Sequence, residues 1–290
     1  MFSGVGTAII TPFLKNDEVD YEALKNITRF QVENKVDAIV ILGTTGEAPV
    51  ISDEERYKII NTITGEVSGK CKIIIGTGGN NPKIVLALNK QAEQFSPDAL
   101  LIVNPYYNKG TQESLVDYFS FISEQTVLPI ILYNVPSRTG MNIMPETAIK
   151  IHLKNPNIFA IKEASGSISQ IAHLCSIKPD SLTVYSGNDD QALPIMSLGA
   201  KGVISVYSNA YPLQMKNIID NALNNDFNKA AEYQNKYLKM MNDIFVETSP
   251  APIKYVMNRL GFCENILRLP LKPISAEHQD LLDKSMEKMK

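Results

Sequence analysis

The chain contains no tryptophan, three cysteines and three histidines among its 290 residues. Cys71, Cys175 and Cys263 are too few and too scattered for a disulfide framework. A reducing, cytoplasmic setting is therefore expected. His152, His173 and His278 have no metal-ligand spacing with one another or with the cysteines, so no metal site is expected. No apolar run approaches the ~20 residues that span a bilayer. The opening Met1-Phe2-Ser3-Gly4-Val5 lacks the basic and apolar regions of a secretory leader. Positive charge is not in excess either: 28 Lys and Arg against 31 Asp and Glu leave a net charge of −3. Without clustered positive charge, nucleic acid and anionic membranes are poor partners.

Apolar residues make up 44% of the chain and charged residues 20%, with 16 glycines and 16 prolines spread along it. That is the composition of an ordinary enzyme, not of a disordered, collagenous or coiled-coil protein. Eight short runs read as strands: 5–10, 38–42, 72–75, 99–103, 129–133, 158–162, 182–185 and 202–206. Most are rich in Ile and Val, and unbroken apolar character suits parallel strands buried on both faces. Between them lie segments with helical spacing. Ile59, Ile60 and Ile63 follow Ser52-Asp53-Glu54-Glu55, where Ser52 and Glu55 have the spacing of a capping box.

Eight strand–helix alternations predict an α/β protein, a (β/α)8 TIM barrel, for which ~250 residues is the usual size. A doubly wound open sheet is the competing architecture. Beyond the eighth strand, Phe227, Ala230, Ala231, Leu238, Met241 and Phe245 mark the apolar stripe of a further helix. Ser249-Pro250, then Ile253, Val256, Met257, Leu260 and Gly261, reads as cap, first-turn proline, stripe and stop. Residues 276–290 predict a last helix. The expected division is a barrel over 1–224 that carries the site and a C-terminal helical appendage over 225–290.

Several familiar motifs fail on inspection. Gly76-Thr77-Gly78-Gly79 follows a strand, but a dinucleotide fingerprint needs glycine where Asn81 stands. The segment from Gly65 to Cys71 is one residue short of a phosphate-binding loop and leads into a strand instead of a helix. No G-x-S-x-G nucleophile elbow is present.

In a barrel the chemistry sits at the C-terminal strand ends. Strand periodicity places Ile158, Ala160 and Lys162 on one face. If that face points inward, Lys162 stands at the top of the barrel above a small Ala160. An ammonium there is costly to keep charged, and the neutral amine is the form that attacks a carbonyl. The plainer alternative is that Lys162 reaches solvent or pairs with Glu163. Tyr133 shares a face with Ile131 at the end of the fifth strand, where a phenol can shuttle protons or simply cap the core. Arg138, on the next loop, offers a fork for a carboxylate or lies at the surface. Gly43-Thr44-Thr45-Gly46-Glu47, after the second strand, offers amides and hydroxyls to a small anion or forms an ordinary turn. Tyr106 and Tyr107 follow the fourth strand and suggest an interface at least as strongly as catalysis.

At these residues the sequence resembles the dihydrodipicolinate synthase family, within the pyruvate-dependent class I aldolases that include N-acetylneuraminate lyase. The blocks that carry the resemblance are Gly43-Thr44-Thr45-Gly46-Glu47, Asn104-Pro105-Tyr106-Tyr107-Asn108, the run from Tyr133 to Gly140, and Ile161-Lys162-Glu163-Ala164. The resemblance implies a Schiff base between Lys162 and pyruvate, whose enamine attacks L-aspartate 4-semialdehyde. It implies a proton relay of Thr44, Tyr133 and Tyr107, with Tyr107 supplied across a dimer interface. It places Thr44 and Thr45 on the pyruvate carboxylate, Arg138 on the semialdehyde carboxylate, and the backbone of Gly187 and Ile204 along the pocket. It also implies a homotetramer built from two tight dimers and no metal or organic cofactor. The threonine pair and Arg138 favour the synthase over the sugar-acid lyase.

One region departs from the family pattern. Lysine-inhibited relatives line an interface pocket with acidic and polar groups, where this chain has Ala48, Pro49, Asp53, Arg56, Asn80, Ile84 and Tyr106. Ile84 replaces an acidic partner for an ammonium and Arg56 adds like charge, a loss of about 3–5 kcal/mol if the site is buried. Weak or absent inhibition by L-lysine is expected. Two other readings stay open: a lyase acting on a sugar acid such as N-acetylneuraminate through the same lysine, and a non-catalytic barrel that binds a keto acid.

Overall fold

Runs of Ile, Val and Leu too short for helices bury both faces only by pairing with like runs under a coat of helices. In the computed structural model, which describes residues 2–289, they do so as eight parallel strands. These are β1 (Gly4–Ala8), β2 (Ala38–Ile41), β3 (Lys72–Gly76), β4 (Ala99–Val103), β5 (Ile130–Asn134), β6 (Ile158–Glu163), β7 (Thr183–Ser186) and β8 (Gly202–Ser205). Each lies within a residue or two of its predicted run. β1 pairs with β8 through Gly4–Gly202 and Val5–Val203, which closes the sheet into a (β/α)8 barrel. The open-sheet alternative is thereby excluded.

Side chains alternate between two cores. Ile39, Ile41, Leu100, Ile102 and Leu132 point outward and pack with the helices. Ala38, Val40, Leu101, Ile131, Ala160 and Ile204 point inward and fill the barrel. Each such fully buried Ile or Leu contributes about 1.5–3 kcal/mol. The lower end is plugged by Phe2, whose ring stacks on Tyr185 at 4.5 Å and whose carbonyl accepts the Tyr185 hydroxyl. Two adjoining cavities open at the upper end.

One expectation about β6 is corrected. Ile158 does not share the inward face of Ala160 and Lys162 but packs in the outer core. The register explains it: Ile130 pairs with Ile158, while the next residue, Ile131, pairs with Ala160. Phe159 is the extra residue of a bulge, and it breaks the alternation below Ala160. Above the bulge the period of two holds, so Ala160 and Lys162 do share a face.

The capping box at the helix Asp53–Val67 is present, with Ser52 and Glu55 each bonded to the other's backbone. The eighth barrel helix, Pro212–Leu223, is followed by the helices Phe227–Asp243, Ala251–Arg259 and Ala276–Glu287. The helix Phe227–Asp243 packs on both Pro212–Leu223 and Ala276–Glu287. The start of the middle helix differs from expectation. Its cap is Pro250, not Ser249, and Pro252 is the first-turn proline. Gly261, at φ 83°, follows its end as predicted. The segment before this helix reaches back over the upper end of the barrel.

Candidate active site

Lys162 stands on β6 beside Tyr133 of β5, its direct partner in the ladder. Both are buried, at 5% and 7% exposure, and the Lys162 Nζ lies 4.2 Å from the centre of the Tyr133 ring. Glu163, the alternative partner, faces the other way. Its carboxylate accepts from the Asn134 side chain at 3.0 Å and from the Ser165 amide at 2.7 Å. Burial pushes the Glu163 carboxyl up, and those hydrogen bonds pull it partly back. No ion pair to Lys162 occurs among the described residues.

A cavity of about 180 Å³ opens above the amine. Thr44, Thr45, Tyr133, Arg138, Lys162 and Gly187 all line it. A second, more apolar cavity of about 240 Å³ adjoins it and shares Thr44, Tyr133, Val135 and Arg138. Tyr106 lines that second space. Tyr107 lines neither: it is 91% exposed and its φ is 71°. Ile204 is wholly buried inside the barrel, and Val206, two residues on, lines the cavity instead.

Thr44–Gly46 forms a tight turn between two left-handed non-glycine residues, Leu42 (φ 55°) and Glu47 (φ 54°). Such backbone is uncommon and persists where its surroundings hold it. Thr11 helps by donating its hydroxyl to the Gly46 carbonyl at 2.8 Å. Arg138 lies on the short helix Pro136–Thr139, exposed at the cavity mouth, and donates to the Ser249 carbonyl at 3.0 Å. At Gly187 a Cβ would lie 2.6 Å from the Ala164 Cβ and 3.1 Å from the Lys162 Cε. Glycine is therefore required there for the lysine chain to lie as it does. Gly76 and Gly78, set aside above as a cofactor loop, are packing residues. A Cβ on either would come within 2.3 Å of backbone at Leu42 or Val103.

Sequence reasoning missed Asp189, Phe245 and Ser249. Phe245 and Ser249 belong to the C-terminal region and line the cavity from above, a placement no local pattern encodes. Asp189 carries a legible signal, since it follows β7 two residues after Gly187 at a strand end. It is 1% exposed, and its carboxylate accepts from the amides of Val206 at 3.1 Å and Tyr207 at 2.9 Å. It thus ties the end of β7 to the end of β8. Burial raises its carboxyl to about 6, against the bonds from Ser205, Tyr207 and Val206 and the charge of Lys162. Among the described residues no three His, Cys, Asp or Glu side chains are grouped to share a metal ion.

A constellation of buried lysine, phenol, paired threonines and arginine at the mouth of a barrel suits imine chemistry on a small keto acid. The Dihydrodipicolinate synthetase family model matches residues 1–289. The chain is 46% identical to the 4-hydroxy-tetrahydrodipicolinate synthase of Fervidobacterium nodosum, covering 100% of this chain and 99% of that one. The dihydrodipicolinate synthase structure from Thermotoga maritima matches with a TM-score of 0.97 at 43% identity, over 99% of this chain and 98% of that one. A chloride-inhibited dihydrodipicolinate synthase from Acinetobacter baumannii, solved with pyruvate, matches with a TM-score of 0.97 at 36% identity over 99% of each chain.

The raised Asp189 carboxyl has a stability consequence. The unfolded chain releases this proton near pH 4, the folded one near pH 6. The stability contribution is full below the unfolded value and is lost as pH rises through the folded one, by about 2–3 kcal/mol in all. In urea denaturation, the stability of the parent minus that of Asp189→Asn should fall between pH 4 and pH 6 and level off above. A difference that stays flat across that window contradicts the assignment.

Proposed function

The chain belongs to the dihydrodipicolinate synthetase family, and from that membership we propose how its own residues carry the reaction. The enzyme is a lyase of the class I aldolase type, 4-hydroxy-tetrahydrodipicolinate synthase in activity, acting in diaminopimelate and lysine biosynthesis. Its substrates are pyruvate and L-aspartate 4-semialdehyde. The observation that carries the residue assignment is the buried, unpaired amine of Lys162 over Tyr133, below a cavity that Thr44, Thr45 and Arg138 share.

In this reading the neutral Lys162 amine adds to the keto carbon of pyruvate. Loss of water, with the proton delivered through the Tyr133 hydroxyl and Thr44, leaves a protonated imine. Removal of a methyl proton gives the enamine, whose carbon attacks the aldehyde of the semialdehyde. The substrate's own amino group then displaces Lys162 and closes the ring. Thr45 and Thr44 hold the pyruvate carboxylate through hydroxyl and amide donors. Arg138, already oriented by the Ser249 carbonyl, takes the second carboxylate. Gly187 gives the amine room to reach the keto carbon. Ile204 walls the site from within the barrel, with Val206 lining the cavity above it.

Tyr107 is assigned to the relay of a second copy, because it points away from both cavities of its own chain. That assignment goes with a homotetramer of two tight dimers. A sugar-acid lyase is not favoured, since Arg138 at the mouth suits a carboxylate better than a hydroxylated chain. A purely binding barrel is not favoured by a buried amine set against a phenol, below a cavity that paired threonines and an arginine also line.

Borohydride reduction in the presence of pyruvate should add a covalent mass to Lys162. Lys162→Arg should abolish the adduct, and Gly187→Ala should reduce it sharply. An unmodified parent, or a parent that turns over sugar aldehydes faster than aspartate semialdehyde, would overturn the reading. Sedimentation should give a tetramer, and Tyr107→Phe should lower kcat without altering assembly; a fully active monomer contradicts the shared relay. Arg56 is buried with its guanidinium turned to the Gly76 carbonyl, and Ile84 is exposed. L-lysine should accordingly inhibit weakly or not at all in a steady-state assay, and micromolar inhibition would refute that.

A further inference from the structure

The turn that carries Thr44 and Thr45 is held from outside the barrel by buried charge. Glu47, directly after the turn and left-handed, is 3% exposed. Its Oε1 lies 2.5 Å from the Nζ of Lys254, a wholly buried residue of the helix Ala251–Arg259. Its Oε2 accepts the backbone N–H of Arg268 at 3.1 Å. Lys254 also donates to the Ile266 carbonyl at 2.9 Å and stands 4.0 Å from the centre of the Phe13 ring. The guanidinium carbon of Arg268 lies 4.4 Å from the centre of the same ring. The same guanidinium donates to the Val50 carbonyl at 2.9 Å and pairs with Glu55, which Arg268 holds down at about 2.

The segment 47–55 is thus gripped by two points of the C-terminal region, Lys254 and Arg268, both packed against Phe13. A buried ion pair is weak evidence for stability, because well-packed apolar residues often do as well. What it supplies is geometry: Glu47 has one place to be, and the threonine turn begins three residues before it.

We propose that Glu47 and Lys254 are positioning residues, a clamp through which the C-terminal helical region sets Thr44 and Thr45 for the keto-acid carboxylate. This rests on the assignment of those threonines to pyruvate given above. The clamp touches neither substrate, so its effect belongs in pyruvate binding and not in the aldehyde step.

The test compares Glu47→Gln, Lys254→Met and the charge-free double variant in the full-length enzyme. Glu47→Gln keeps shape but leaves the buried Lys254 ammonium unpaired, so the double variant, which leaves no charge unpaired, keeps the test readable if a single variant does not fold. The expected result is a KM for pyruvate raised about tenfold in each folded variant, with the KM for aspartate semialdehyde within about twofold of the parent. The double variant should recover thermal stability relative to Lys254→Met, since no charge is left unpaired, yet keep the raised pyruvate KM. Parental pyruvate KM in the double variant, or in Glu47→Gln, would overturn the proposal and leave the pair a purely structural contact. Failure of the underlying site reading is seen separately, as a parent enzyme whose Lys162 gains no adduct with pyruvate and borohydride.

Discussion

A primary amine held at 5% exposure beside a phenol ring, with no ion pair among the described residues, is the constraint around which this molecule is built. Removing an ammonium from water carries an effective penalty of several kcal/mol. Everything near it is consistent with that cost being met locally. Small residues, Ala160 below and Gly187 beside, make room for the chain. Tyr133 presents a π face and a hydroxyl, and Glu163 is turned outward into its own hydrogen bonds. The buried Asp189 feels the charge of Lys162 and is also spent on two backbone amides just past β8.

The barrel's closure turns that local arrangement into a site. With Phe2 and Tyr185 packed at the bottom and inward Ala, Val and Ile filling the middle, the cavities lined by Lys162, Tyr133 and the strand-end loops open at the top. The strand ends there each contribute one part: a turn of threonines after β2, a phenol and an arginine after β5, the amine on β6, a glycine after β7. The C-terminal helices complete the upper wall with Phe245 and Ser249 and orient Arg138 through a carbonyl. They are part of the site's construction as well as an addition to the barrel.

Much of this was legible in the chain. The eight runs of Ile and Val, the capping box at Ser52 and the shared faces of Lys162 with Ala160 and of Tyr133 with Ile131 all follow from local spacing, while their inward direction was set by the closed barrel. Periodicity has its limit at Phe159. A bulge adds one residue to a strand, leaves no mark in composition, and moved Ile158 to the opposite face from the one expected. The cap at Pro250 slipped by one position for a similar reason, since a run with proline at both 250 and 252 offers two starts. Asp189 was overlooked because a carboxylate in a loop after a strand looks like ordinary solvated charge until its burial is known.

The order of residues by itself determined the element sequence, the α/β class and the chemistry available at each strand end, while the β1–β8 pairing decided that the sheet closes. The first three depend on short-range alternation and on which side chains carry reactive atoms. Only the tertiary structure decided which groups share a space. The amine meets the phenol across the β5–β6 ladder, the buried Glu47 finds its cation more than two hundred residues away in Lys254, and Ser249 reaches Arg138. Such contacts arise from barrel closure and from helices folding back over it, and no local pattern in the chain specifies where a distant segment comes to rest.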